Sequence, residues 1–310
     1  MSATNVAINW AEQGLLPDSV IRAGIRRLVS ARLTEIRAAD AEAGADIAAE
    51  FAASLAVAPI ALVPEKANEQ HYEVPEEFFG AVLGHRRKYS SCCWHAGIKT
   101  LDDAEDAALA ATAERAQLGN GLDILELGCG WGSLTLWMAE RYPASQIVAV
   151  SNSATQRVYI EGQAARRGLS NVSVITRDVA VFEPAGRFDR IVSVEMLEHV
   201  RNHGELLARI ARWLEPDGRF FAHVFSHREL AWSFEHDRKK DWMARWFFTG
   251  GIMPSDDFLP RVTTDLVEVE RWRFSGVHYE RTLRAWLELL DAHADEVTAV
   301  FAHAYGAREA

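Results

Sequence analysis

The sequence predicts a doubly wound α/β domain built on a mostly parallel sheet. Three observations carry this reading. An apolar run (Ile124, Leu125, Leu127) enters a turn with Gly128, Gly130 and Gly132, and an amphipathic stretch with Leu134, Leu136, Met138 and Ala139 follows. That is strand, turn and helix in succession. Further strand-like runs at 146–150, 172–176, 188–194 and 219–225 alternate with helical patterns at 132–141, 154–167 and 203–214. Each connection is long enough for the crossover that parallel strands require.

Residues 1–65 are rich in Ala and Arg and read as helix. Ile21, Ile25, Leu28, Val29 and Ile36 fall near one face, with Arg22, Arg26, Arg27 and Arg37 around it. The favoured reading is a helix packed on the domain with a solvated arginine face, ahead of one lying on a membrane. The Ala-rich stretch 41–57 suggests a second helix, and Pro59 and Pro64 mark a linker. His71 to Trp94 is aromatic and too irregular for one helix. Thr100 then caps a helix with an acidic first turn that runs to about Gln117. Pro216-Asp-Gly218 is a turn feeding the fifth strand. From 227 to 265 the periodicity breaks into an aromatic, glycine-punctuated stretch, Asp241 to Pro254, which suits a lid over an apolar substrate. A sixth strand is expected at 266–273 and helices at about 280–292 and 294–304. The expected division is a helical extension (1–65), a cap segment (66–118), the core (119–226), and a lid with the sixth strand and last helices (227–310).

With 310 residues and 49% hydrophobic content, the chain can bury one substantial core and a smaller annex. The net charge of -11 argues against nucleic acid as a partner, because phosphate binding wants a basic face. Nothing resembles a membrane span or a signal peptide, so a cytoplasmic protein is expected. Cys92, Cys93 and Cys129 offer neither a disulfide framework nor a C-x-x-C pair, so no metal is expected. The vicinal pair reads as packing.

In an open parallel sheet, ligands sit at the carboxyl ends of the strands, which ranks the candidates by position. The turn after the first strand, G-C-G-W-G, is not the G-x-G-x-x-G of dinucleotide folds, since Trp131 stands where the longer turn needs a small residue. After the second strand come Asn152 and Gln156, placed where an acidic residue would usually meet ribose hydroxyls. After the third comes Asp178, beside Val179; it suits an adenine amino group, or merely caps the next segment. The fourth strand ends in Val194-Glu-Met-Leu-Glu-His-Val200. Glu195, Glu198 and His199 there could attract an ammonium and remove its proton, as methyl transfer to nitrogen demands; the competing reading has Glu198 and His199 only fixing a turn. His223 and Tyr279 are weaker candidates near the same edge.

These residues together resemble two nested families. The glycine turn, with Glu126 as its acidic member, is similar to motif I of class I S-adenosylmethionine (SAM) methyltransferases, which have a Rossmann-like fold. From His71 onward the chain resembles the cyclopropane-fatty-acid synthase superfamily, and within it the coclaurine N-methyltransferase-like branch. The motifs are His71-Tyr-Glu-Val-Pro75, Lys88-Tyr-Ser90, Glu126 to Thr135, Ser151-Asn-Ser153, Glu198-His199 and Trp246-Phe-Phe-Thr-Gly-Gly-Ile-Met-Pro-Ser255. The last is unlike generic methyltransferases and discriminates most. The resemblance implies SAM as cofactor, in a pocket lined by Tyr89, Ser90, Glu126, Gly128, Gly130, Gly132, Asn152, Gln156, Asp178, Val179 and Val194. Glu198 and His199 would serve an acceptor amine, with Glu195 close by, and His223, Trp246, Phe247, Phe248 and Tyr279 would line the substrate pocket.

The implied activity is methylation of a small-molecule amine. Alternatives are a cyclopropane synthase acting on unsaturated lipid acyl chains, or a SAM-binding protein without catalysis. In the lipid branch, residues similar to Glu198, His223 and Tyr279 hold a bicarbonate base, and a cysteine follows the Tyr-Ser pair; here that position is Ser91, with Cys92 next. The expected partner is a small-molecule or lipid substrate, with a homodimer as the assembly. Family members also continue past Tyr305-Gly306 into another helix and a terminal strand, which this sequence is expected to lack.

Overall fold

The computed structural model describes residues 3–43, 46–60, 74–234 and 242–306. The chain forms two units. One is drawn from Met1–Val63, Glu198–His203 and Phe225–Val262, the other from Pro64–Leu197, Gly204–Val224 and Thr263–Ala310. The helical extension and the aromatic stretch after the fifth strand, far apart in sequence, therefore fall in the same unit.

The larger unit holds the sheet. Its strands are β1 (Asp123–Leu127), β2 (Gln146–Ser151), β3 (Val172–Thr176), β4 (Phe188–Val194) and β5 (Leu214–His223), in the spatial order β3-β2-β1-β4-β5. Every pairing is parallel. β1 is central, and Ile124, Leu125 and Leu127 are fully buried, which explains an unbroken apolar run where a half-solvated strand would alternate. Leu134, Trp137 and Met138 of one helix (Ser133–Arg141) pack with Ile124, Ile147 and Val192 of the sheet and with Leu109 and Ala113 of the helix Leu101–Arg115. Ile160 and Ala164, from the helix Ala154–Arg167, pack with Leu136, Ala149 and Val174. Caps fix the helix starts: Thr100 accepts from the Asp103 N–H, Ser153 from Gln156 and Ser275 from Val277. Each such cap contributes about 1 kcal/mol.

Three expectations need correction. No sixth strand forms at 266–273. The alternation Val267-Glu-Val269 mimics a strand, yet both valines are exposed, at 87% and 77%. Without a partner strand such a segment gains no ladder hydrogen bonds. It ends instead with Trp272 and Phe274 beside Phe221 and His223 of β5. β5 itself begins at Leu214, because Pro216-Asp-Gly218 is a bulge inside it: the register steps from Phe188↔Leu214 to Arg190↔Arg219. The N-terminal region forms three helices, Ala3–Glu12, Asp18–Ala43 and Asp46–Ala56. The second of them is not a packed helix with only its arginines in water, since Ile25 and Val29 are each 54% exposed. Pro64, His71–Glu73, Asp241 and the side chains of Ile36 and Arg37 lie outside the described residues.

In the smaller unit, a two-stranded antiparallel ribbon joins Trp232–Ser233 to Ile252–Met253. Its core contains Leu55, Ile252 and Phe258. Phe248 is buried against Phe225 and Phe234, and a Cβ on Gly251 would overlap the Phe248 ring. Among the described residues no helix is long and apolar enough to cross a membrane.

Glu126 is the polar exception in β1. It is buried, and its Oε2 accepts a hydrogen bond from Thr135 Oγ1 at 2.5 Å. Burial pushes its carboxyl up to about 8. A folded-state value above the unfolded one means that stability is fully present at low pH and is lost as pH rises through about 8. Glu126→Gln keeps the shape and removes the titration. Its melting temperature should gain on the wild type as pH rises from about 5 to about 9, measured by calorimetry. A pH-independent difference would contradict burial as the cause.

Candidate active site

The turn after β1 is built by three glycines in the left-handed region, with φ of 82° at Gly128, 51° at Gly130 and 76° at Gly132. Their surroundings differ. A Cβ on Gly128 would lie 2.6 Å from Met196 Cγ, and one on Gly132 would lie 2.6 Å from Ile160 Cγ1. A Cβ on Gly130 would meet nothing within 4 Å. Two glycines thus permit close packing, and the third borders open space. Trp131, between them, is buried against Phe79 and Tyr159, with ring centroids at 4.9 and 5.4 Å. The residue that breaks the dinucleotide pattern is therefore a packing anchor.

Along the same edge, β2 ends at Ser151. Its hydroxyl donates to Gln156 Oε1 at 2.6 Å and accepts from the Ser153 N–H at 3.0 Å, which sets the Gln156 carboxamide. Gln156 Nε2, Ser133 Oγ and Thr176 Oγ1 are buried with no hydrogen-bond partner among the described residues. Buried polar groups are normally satisfied, so this cluster near the ends of β1, β2 and β3 is suited to a polar ligand. Asp178 spends Oδ1 on the Ala180 N–H at 2.8 Å, an Asx-type turn, so it does act as a cap. Tyr89 packs between Phe79 and Trp286, at 5.2 and 5.5 Å, and Ser90 is buried beside it. Val179 is half-buried, and Asn152 and Val194 are likewise intermediate.

At the end of β4 the chain makes an unusual turn. Glu195 has φ of 49°, the left-handed region that a glutamate rarely occupies. Its N–H donates to His223 O at 2.7 Å, and its Oε1 accepts from the Ser91 N–H at 2.9 Å. Tyr279 also hydrogen-bonds the carboxylate, and His223 Nδ1 stands 4.0 Å from Oε1. Burial raises the Glu195 carboxyl above the usual range, while the Lys88 charge and the Ser91 and Tyr279 hydrogen bonds oppose it. Burial, with the Lys88 and Arg115 charges, lowers the His223 imidazole to about 3, so it is neutral at working pH. One sheet edge thus gathers a carboxylate, a neutral imidazole and a phenol. Trp94 N–H and indole hold the helix that carries Tyr279 (Gly276–Ala292), through His278 Nδ1 at 2.9 Å and Thr282 Oγ1 at 3.0 Å.

The other expected residues fall in the smaller unit. Glu198 is buried, and its Oε1 accepts from the Phe225 N–H at 2.7 Å. The His199 ring lies 4.7 Å from Phe248, centroid to centroid. Arg201 binds Gly250 O through Nε at 2.9 Å and Ser233 Oγ through Nη1 at 2.5 Å. Asn202 donates to Ala56 O and Ala58 O, at 2.9 and 3.0 Å. These residues tie the aromatic segment and residues 56–58 to one stretch of chain. Phe248 is a packing residue, whereas Trp246 is 52% exposed and Phe247 half-buried.

Comparison with known proteins identifies the family. The family described as mycolic acid cyclopropane synthetase matches residues 63–307. An (S)-coclaurine N-methyltransferase of Thalictrum flavum subsp. glaucum is 36% identical over 94% of this chain and 81% of its own length. The chain belongs to this family of SAM-dependent enzymes. A family member from Escherichia coli (strain K12), a cyclopropane-fatty-acyl-phospholipid synthase, is 31% identical over 71% of this chain and 55% of its own. The crystal structure of a coclaurine N-methyltransferase bound to N-methylheliamine and SAH superposes with a TM-score of 0.93 at 34% identity, covering 99% of this chain and 89% of that one.

Two residues of this site entered the sequence reading without a role, Lys88 as part of a motif and Ser91 as a departure from the lipid branch. Ser91 contributes its main-chain N–H, which side-chain chemistry does not reveal. Lys88 is buried, donating to Ser90 Oγ at 2.5 Å and Ser91 O at 2.7 Å. Its signal was a lone lysine inside an aromatic run.

The glycines should separate by experiment. Gly128→Ala, forced against Met196, should lower the melting temperature. Gly130→Ala should weaken SAH binding at least tenfold by calorimetry while costing only the left-handed backbone penalty, about 1–2 kcal/mol. Equal loss of SAH affinity in both, at equal stability, would refute the division of roles.

Proposed function

We propose that this protein transfers a methyl group from SAM to the nitrogen of a small cyclic amine. The likeness to coclaurine N-methyltransferases along nearly the whole chain carries the reading, and the carboxylate, imidazole and phenol at the β4–β5 edge support it. Bound SAM supplies an electrophilic sulfonium methyl group. Gly130, bordered by open space, and Gln156 Nε2, buried without a partner among the described residues, fit a nucleoside-bearing cofactor. Tyr89, Ser90, Glu126, Gly128, Gly132, Asn152, Asp178, Val179 and Val194 complete the proposed cofactor set. Glu126 acts from behind, fixing the turn through Thr135.

An aliphatic amine is mostly protonated at neutral pH and then lacks the lone pair that must attack. Glu195 and Glu198 attract the ammonium, and His199 removes its proton: the N–H bond breaks, an imidazole N–H forms, and the lone pair is freed. His223, Trp246, Phe247, Phe248 and Tyr279 shape the acceptor's surroundings. Holding the amine in line with the methyl group supplies much of the acceleration, because orientation replaces a bimolecular encounter.

Incubation with labelled SAM, against coclaurine and other cyclic amines in one series and phospholipid vesicles in another, tests the reading. Methylated amine should form without added bicarbonate. Cyclopropane in the phospholipid, or a strict bicarbonate requirement, would favour the lipid-modifying alternative, and SAH binding without product in either series would leave a non-catalytic binding protein. His199→Ala should reduce amine turnover about 10²–10⁴-fold at neutral pH, with SAH affinity nearly unchanged. The deficit should shrink at high pH, where more amine is already deprotonated. Full turnover in His199→Ala would end its role as base.

A further inference from the structure

Lysine is almost never fully buried without a partner, yet Lys88 is 4% exposed. Its Nζ contacts are neutral oxygens, Ser90 Oγ and the Ser91 carbonyl. Neither compensates the charge, so the cost of burying it must be offset by an anion beyond hydrogen-bond range. Two buried carboxylates feel that charge. Glu105 takes the N–H groups of Gly84, Arg86 and Lys88 at 3.1, 2.8 and 3.1 Å, and the Lys88 charge favours its ionised form. It organises the loop that delivers Lys88. Glu195 is the other, and the Lys88 charge favours its ionised form too. The loop is also the physical link, since Lys88 grips Ser91 O and the Ser91 N–H grips Glu195 Oε1.

We propose that Lys88 is a positioning residue for methyl transfer, a buried cation that pins the Ser90–Ser91 loop against Glu195 and keeps that carboxylate anionic for the acceptor's ammonium. This rests on the N-methyltransferase reading above. The same charge faces the His223 imidazole and the Cys92 thiol, with Arg115 reinforcing it at His223. It disfavours a second cation at His223, so the carboxylate is left to attract the substrate's. Among the described residues, the charged and titratable groups that face Glu195 are Lys88, His223, Tyr279 and Cys92, with Glu105 beside Cys92 and Arg115 beside His223, and Lys88 is the cation that acts on the carboxylate.

The test compares Lys88→Met and Lys88→Arg with the wild type and Glu195→Gln, following kcat/KM for the amine against pH. In Lys88→Met the low-pH limb should move up by about 1–3 pH units, the effect of removing an opposite charge beside a carboxylate. Lys88→Arg should restore the wild-type limb, and Glu195→Gln should abolish the component that moves. A purely structural lysine would lower the rate at every pH without moving the limb, and that result would overturn the proposal. Should Lys88→Met not fold, carbon-13 NMR of the Glu195 carboxyl in the wild type decides: ionised at neutral pH supports the proposal, protonated overturns it. An undiminished kcat/KM in Glu195→Gln would instead defeat the reading of the site on which the proposal rests.

Discussion

The arrangement of the larger unit depends on one strained residue. Glu195 leaves β4 with φ of 49°, a conformation that costs a residue with a Cβ about 1–2 kcal/mol. Its backbone bond to His223 and its carboxylate bond to Ser91 offset that cost and hold it there. The turn it makes places Met196 over Gly128, where no Cβ would fit. The exits of β1 and β4, adjacent in the sheet, therefore determine each other: glycine is required at the first because of how the second bends. Strain of this kind persists where the surroundings over-determine a residue, and here it aims a buried carboxylate along the sheet edge.

The smaller unit obeys a different constraint. Its ribbon of two short strands is too small to be stable alone. Glu198, Arg201 and Asn202 stabilise it by capturing main-chain groups of Phe225, Gly250, Ala56 and Ala58. A carboxylate and a guanidinium thus replace the hydrogen-bond ladder that a larger sheet would provide. The Phe248 ring, seated over Gly251, fills the space that a side chain there would occupy. Polar and aromatic residues that looked like substrate contacts in sequence also have these structural tasks.

What was legible in the sequence follows from range of interaction. β1 and β3, the helix at 154–167 and the cap at Thr100 were readable because periodicity, capping and turn chemistry act within a few residues. The expected strand at 266–273 failed for the converse reason: alternation reports which faces differ, not whether a partner strand exists to pair with. The helix expected at 41–57 is present as Asp46–Ala56, whereas the break near Gly14, which divides the first helix from the second, carries only a weak signal. In the site, the glycines, Glu195 and Gln156 announced themselves by position after strands. Ser91 and Lys88 did not, because one acts through its backbone and the other through burial, and both depend on contacts with residues distant in sequence. Asp178 was read two ways, and the structure places its Oδ1 in the capping role.

The turn at residue 195 shapes the sheet edge, and a glycine could make it without strain; a glutamate stands there for its carboxylate. Glu195→Gly removes both the left-handed penalty and the carboxylate, so thermal unfolding and amine turnover measured on the same variant separate the two. The melting temperature should stay close to the wild type, the relieved strain offsetting the lost Ser91 hydrogen bond, while amine methylation should be almost completely lost. Wild-type turnover in this variant, or a collapse of the fold, would contradict this assignment.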